Sequence, residues 1–445
     1  MHRQAVQGWS TSRDALGSGR DETGLFDNHV GGRGSWPPLC RRHFQRAHRA
    51  RGSAIGQQEL DRAFRALGRH GMSIFNLPEI FRTHIMGEKD EPEIRTLDGP
   101  WKQNELIGDC AMVDRTLEHP DDVIVDKYGK PWVSAGDRIY RIGGSWFCPV
   151  RSTVHKVGGR AGAMCRHPDG SLIVAIAGNG IEVIAPDGSR STLVNSDTGP
   201  MKCITSIAIG RDGNVYLTDG STKFGPEQWV EDLMRSGETG RLLKLYWATG
   251  AVKTLRDKLA WPFGVCEIDD SSVMVSESWK HRLLAVDVSG SERTGPKVVL
   301  GNLPGYPSRI QPIEGGGYWL ALFALRNPLI EFVLREKEFL KEMLETVPPR
   351  YWVAPAMATS DDYREALQLG AIKQVGMKKP FSPPYSYGLV AKLDRHFQPV
   401  KSMHSRADGK RHGITGIASP NKHSLFILSA GNGKLVHADE EVLSK

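Results

Sequence analysis

IGRDGNVYL, residues 209–217, is a polar turn centred on Gly213 between two short runs rich in Ile, Val, Tyr and Leu. A glycine turn flanked by β-branched and aromatic residues reads as a β-hairpin. The pattern returns in VDKYGKPWV (125–133, turn at Gly129), CRHPDGSLIV (165–174, Gly170), EIDDSSVMV (267–275, Ser271), PIEGGGYWL (312–320, Gly316) and SPNKHSLFI (419–427, His423). Small residues and a second apolar segment follow, such as RIYRI (138–142) or RLLKLY (241–246). The turns are separated by 41, 43, 58, 45 and 107 residues. That period fits one four-stranded blade, lengthened in the third and fifth intervals. Six such blades predict an all-β, six-bladed β-propeller.

Composition agrees, and charge narrows the partners. The 49 Gly and 26 Pro among 445 residues suit many short strands and turns. The net charge of +7 is concentrated at the N-terminus, where residues 1–71 hold twelve Arg, no Lys and six acidic residues. The remainder carries only +1, which argues against nucleic acid as a partner. Residues 1–71 read as a disordered basic arm, a transit-like peptide, or sequence upstream of the true start; ordinary Lys usage from MSIFNLPEIF at Met72 favours the last. Residues 72–94 are then a lead-in and 95–445 the propeller. No apolar run of ~18 residues exists and the N-terminus lacks a secretory apolar core, so the expectation is a cytoplasmic protein without a membrane span. The six cysteines show neither CxxC nor zinc spacing, and Cys165 and Cys266, each five residues before its turn, read as core. GxSxG, HExxH, GxxxxGK[ST] and GxGxxG do not occur. Nothing indicates an oligomeric state.

Leu329, Phe332, Val333, Leu340, Met343 and Leu344 lie at helical spacing and predict one amphipathic helix across the charged run REKE. A second short helix is expected over DDYREALQL after Ser360, then an extended Pro-rich stretch in KKPFSPPYSYG. Residues of about 329–386 therefore form a helical, cap-like insertion between the fifth and sixth blade hairpins, over one face or on the rim.

YLTDGSTKFG (216–225), GRLLKLYWATGAVKTLRDKLAWPFGV (240–265), VSESWKHRLLAVDV (275–288) and NLPGYPSRIQPIEGGGYWLAL (302–322) resemble the strictosidine synthase-like propellers, a family related to the gluconolactonase and paraoxonase propellers. The resemblance runs from about Arg95 to the C-terminus and implies a small-molecule ligand in the central channel. It places the channel residues eight before each turn: Asp121, Gly162, Thr205, Phe263, Ser308 and Thr415, followed by Asp122, Ala163, Ser206, Gly264, Arg309 and Gly416.

In the calcium-dependent relatives these positions carry a Glu, two Asn and an Asp-Asn pair. Here Asp121, Thr205, Phe263, Ser308 and Arg309 stand there, a set short of the oxygen ligands calcium needs. No cofactor is therefore expected. The catalytic Glu of the founding strictosidine synthases aligns with Thr415, which cannot accept a proton near neutral pH. The residues left are Arg309, expected to recognise a carboxylate or other anionic oxygen with Asp121 balancing its charge, and an apolar wall at Phe263. Arg309 paired structurally with Asp121 or Asp122 is the other reading. Thr205, Ser308 and Thr415 complete the substrate-binding candidates, and Asp121, Asp122 and His119 are the candidate proton acceptors. Glu277, His281 and Asp219 read as structural hydrogen-bonding residues within blades. Two functions follow: a metal-independent hydrolase or condensation-type enzyme on a small organic substrate, or a binding or scaffold propeller that has lost the chemistry.

Overall fold

The computed structural model describes residues 94–445 apart from 146–147, 194–198, 290–294, 359–372, 375–376, 379–385 and 408. The N-terminal arm, the lead-in to residue 93 and the helix expected over DDYREALQL lie outside the described residues, as does most of the Pro-rich stretch.

Each hairpin forms for a local reason. Asp126, Asp169, Asp212, Asp269 and Asn421 each accept, on the side-chain oxygen, the backbone N–H two residues on at 2.8–2.9 Å. This mimics a backbone turn and fixes where the chain reverses. In the fifth hairpin three glycines with positive φ (Gly315, Gly316 and Gly317) make the turn instead.

Six antiparallel four-stranded sheets result, a six-bladed β-propeller. The innermost strands are Pro120–Val125, Ala161–Arg166, Ile204–Ile209, Pro262–Asp269, Gly305–Pro312 and Ile414–Asn421. The second strands, such as Leu172–Ile176 and Tyr318–Leu325, are apolar with little polar alternation. They are sandwiched by neighbouring blades on both faces, and each fully buried Leu or Ile contributes about 1.5–3 kcal/mol. Ala111–Asp114 pairs antiparallel with Lys434–Ala438 and supplies the outermost strand of blade 6. The two ends of the propeller chain thus close the ring in one sheet.

The large insertion departs from blade 5 between its second strand and its third, Gly388–Leu393. Where one helix was expected, two occur, α1 (Pro328–Arg335) and α2 (Lys337–Thr346). Glu336 between them has ψ 76°, outside the helical region, and its N–H bonds Phe332 O to close α1. Asn327 caps α1 by accepting from Leu329 N at 2.8 Å. Val333, Leu340 and Met343 pack against Trp261, Phe263, Tyr306 and Phe323 of the propeller. Glu331 of α1 is tied down by Arg326 at 2.9 Å and faces His281 at 3.4 Å. Burial alone would raise the Glu331 carboxyl, but these two partners hold it at about 2.

Among the described residues no helix is long and apolar enough to cross a membrane.

Candidate functional site

A cavity of about 370 Å³ opens where the inner strands begin. Its lining divides by chemistry. His119, Asp121, Arg160, Glu227, Thr205 and Thr415 bring polar groups, whereas Trp229, Trp261, Phe263 and Phe323 form an aromatic wall. Trp261 stacks on Trp279 (centroids 5.1 Å apart), and Phe263 lies 5.8 Å from Phe323. His119 and Trp261 hold equivalent places, each before the proline that starts an inner strand, and both have positive φ, 48° and 52°. Such backbone is costly for bulky residues and recurs at ligand sites.

All six inner strands lose register with their partners at the channel positions. The ladder is interrupted between Pro120 and Asp122, Ala161 and Met164, Ile204 and Ser206, Pro262 and Val265, Pro307 and Ile310, and Ile414 and Gly416. Interrupted pairing of this kind re-aims side chains and frees backbone groups. Here the freed carbonyls receive the hydroxyls of the ring. Thr205 Oγ1 donates to Pro262 O at 2.7 Å, Ser308 Oγ to Ile414 O at 2.8 Å, and Thr415 Oγ1 to Asp121 O at 2.8 Å. Each bond joins one blade to the next. Thr205 and Thr415 line the cavity with their hydroxyls engaged, and Ser308 is fully buried behind it.

Arg309 lies beneath the cavity lining. Its Nη2 donates to Asp121 Oδ2 at 2.5 Å, and its Nη1 to Asp121 O at 2.6 Å and Thr415 O at 3.2 Å. Its Nε stands 3.3 Å from Asp122 Oδ1, and Cζ sits 5.3 Å from the Phe263 ring centroid. Burial opposes the charge of Arg309, but Asp121 and Asp122 outweigh it and raise its pKa. The structure therefore shows the ion pair of the structural-pair reading, and Asp121 and Phe263, which Arg309 contacts, line the cavity whereas Arg309 does not.

The two carboxylates differ. Asp121 faces the cavity. Asp122 is buried and accepts backbone N–H bonds from Val123 at 2.8 Å and from Met164 of blade 2 at 2.9 Å. Burial pushes it up to about 6, against the pull of Arg309. Glu277 and Asp219 occupy matching places in blades 4 and 3. Each accepts a backbone N–H ahead of its inner strand, from Ala260 and Cys203, and each binds an arginine, Arg282 and Arg241.

The residues at the calcium positions do not fit that ion. A guanidinium already binds Asp121 at 2.5 Å, a phenyl ring replaces one ligand, and the Thr205 and Ser308 hydroxyls point to carbonyls. Among the described residues no group of three His, Cys, Asp or Glu side chains could hold a metal.

A strictosidine synthase family model matches residues 206–289, blade 3 into blade 4. That match supports the resemblance of the chain to the strictosidine synthase-like propellers. It is 32% identical over 220 residues to the adipocyte plasma membrane-associated protein of Mus musculus, covering 45% of this chain and 53% of that one. It is 27% identical over 182 residues to the strictosidine synthase-like 13 protein of Arabidopsis thaliana, covering 40% and 45%. The chain thus matches about half the length of these curated relatives. A gluconolactonase structure from Xanthomonas campestris superposes with TM-score 0.48 at 12% identity, over 75% of this chain and 92% of that one.

Several lining residues escaped the sequence reading. Trp261 and Arg160 stand two places before Phe263 and Gly162, so the same repeat offset read two residues earlier would have found them. Glu227 and Trp229 in the blade 3 insertion, and Met357 in the blade 5 insertion, lie outside any repeat and gave no such signal.

Proposed function

We propose that the channel cavity binds a small organic molecule and that the chain acts on it without a metal, by hydrolysis or by a condensation. The observation that carries this is the opposition of one oriented carboxylate to an aromatic wall. Asp121 lines the cavity with Oδ2 held by Arg309 at 2.5 Å, and Trp261, Phe263 and Phe323 line the same space. The wall takes an apolar ligand body by burial and ring packing. Asp121 accepts the proton of the nucleophile, water in a hydrolysis or an amine in a condensation, as it attacks a carbonyl carbon. Arg309 acts as a positioning residue for Asp121.

One observation favours a second reading, a propeller that binds without catalysing. The hydroxyls of Thr205, Ser308 and Thr415 are all committed to neighbouring blades, so the ring adds no further group for chemistry. A panel of aryl esters, lactones and amine–aldehyde pairs, assayed with and without chelator, separates the two. Turnover that survives chelation and falls at least tenfold in Asp121→Asn is expected. Turnover abolished by chelator would contradict the metal-free reading, and ligand-induced stabilisation without turnover would establish the binding reading.

A further inference from the structure

Arg309 is sealed and committed, yet a second arginine reaches the cavity. Arg160 immediately precedes the inner strand of blade 2 and lines the cavity with Asp121 and Gly162. Its backbone is fixed: Ala177 N–H bonds Arg160 O at 2.9 Å, and the following Ala161 N–H bonds Gly136 O at 2.8 Å. Its side chain pairs with Glu227, a lining residue from the blade 3 insertion. That pair contrasts with the one below it. Arg309 and Asp121 side chains are 6% and 22% exposed, whereas Arg160 and Glu227 are 32% and 69% exposed. An ion pair so open to water is held weakly, because solvent competes for both partners. Glu227 can therefore leave at little cost, returning to water as Arg160 takes another anion. Arg309 cannot change partners in this way, since its departure would strand two carboxylates.

We propose that Arg160 is the specificity-determining residue of the cavity, that it selects ligands bearing a carboxylate beside an apolar body, and that Glu227 is its displaceable resting counter-ion. This rests on the reading of the cavity as a small-molecule site. The guanidinium supplies a two-pronged donor to the carboxylate. The wall of Trp229, Trp261, Phe263 and Phe323 receives the apolar part, and the charge of Asp121 is answered from below by Arg309.

The test uses the full chain and matched probes, phenylacetate and indole-3-acetate with their primary amides, measured by calorimetry. The wild type should bind the acids at least tenfold more tightly than the amides. Arg160→Gln should abolish that preference by weakening acid binding far more than amide binding, and Glu227→Gln should tighten acid binding about threefold. Arg160→Lys, which keeps the charge but loses the fork, should restore part of the preference. A preference for acids that persists in Arg160→Gln overturns the proposal. Amide binding with no preference for acids in the wild type sinks the role of Arg160 and leaves the small-molecule reading standing. Binding of neither class counts against both.

Discussion

Arg309 on the inner strand of blade 5 reaches past blade 6 to Asp121 on the inner strand of blade 1, donating to both its side-chain and main-chain oxygens at 2.5 and 2.6 Å. Blade 6 is the sheet closed by the N-terminal strand Ala111–Asp114. One buried side chain thus spans the joint at which the ring is sealed, and also bonds Thr415 O of blade 6 on the way.

Removing that clamp should be expensive. Arg309→Met leaves Asp121 and the buried Asp122 without their cation, and loss of one partner of a buried pair costs about 3–5 kcal/mol. Denaturant unfolding should show this loss. Arg309→Met combined with Asp121→Asn should cost less than the sum of the single changes, because the two residues interact directly.

Gly264 of blade 4 lies against the backbone of the blade 5 inner strand. A Cβ there would lie 2.5 Å from Ser308 O and 2.9 Å from Arg309 Cα, both backbone atoms that cannot swing aside. Gly264→Ala should therefore destabilise by about 1–3 kcal/mol or more, as overpacking does. A melting temperature equal to wild type would show that the two blades separate without penalty.

Two buried groups should make stability respond to acid in opposite directions. His404 is buried with Nδ1 near Tyr387 OH at 3.0 Å and Nε2 near Ser402 Oγ at 2.7 Å. Burial pushes its pKa from 6.5 down to about 4. Between those values the unfolded chain takes up a proton that the folded chain refuses, so stability falls with pH, by about 3 kcal/mol in all. Asp122 works in the opposite direction. Raised from 3.8 to about 6, its buried charge costs stability at neutral pH, and protonation relieves that cost as pH falls through 6 to 3.8. The difference between wild type and His404→Gln isolates the histidine, and the wild type should lose stability relative to the variant between pH 6.5 and 4.

The blades were legible because the turns carry their own chemistry. Asp126, Asp169, Asp212 and Asn421 fix hairpins within a few residues, so the repeat survives without knowledge of the ring. Ala111–Asp114 was not legible as a strand of blade 6, since it belongs to no hairpin and pairs with residues more than 300 positions away. The two-helix form of the insertion depends on one residue, Glu336, leaving the helical region, which apolar spacing does not record. The ring offset found residues at the axis but not their depth. Interrupted pairing at all six channel positions breaks the two-residue alternation that would say which side chain faces the cavity. Arg309 consequently packs against the Phe263 ring rather than lining the cavity, and among the described residues Arg160 brings a guanidinium to the lining.

Calcium titration followed by thermal melting tests most directly whether a guanidinium has taken over the centre of the channel. A ligand at 100 times its Kd stabilises the fold by about 2.7 kcal/mol, a shift of a few degrees that melting reads easily. No calcium-dependent change in Tm is expected for the wild type, because Arg309 already binds Asp121, the one carboxylate among the positions that the resemblance assigns to calcium. A stabilisation of several degrees that chelator reverses would contradict the substitution of arginine for the metal.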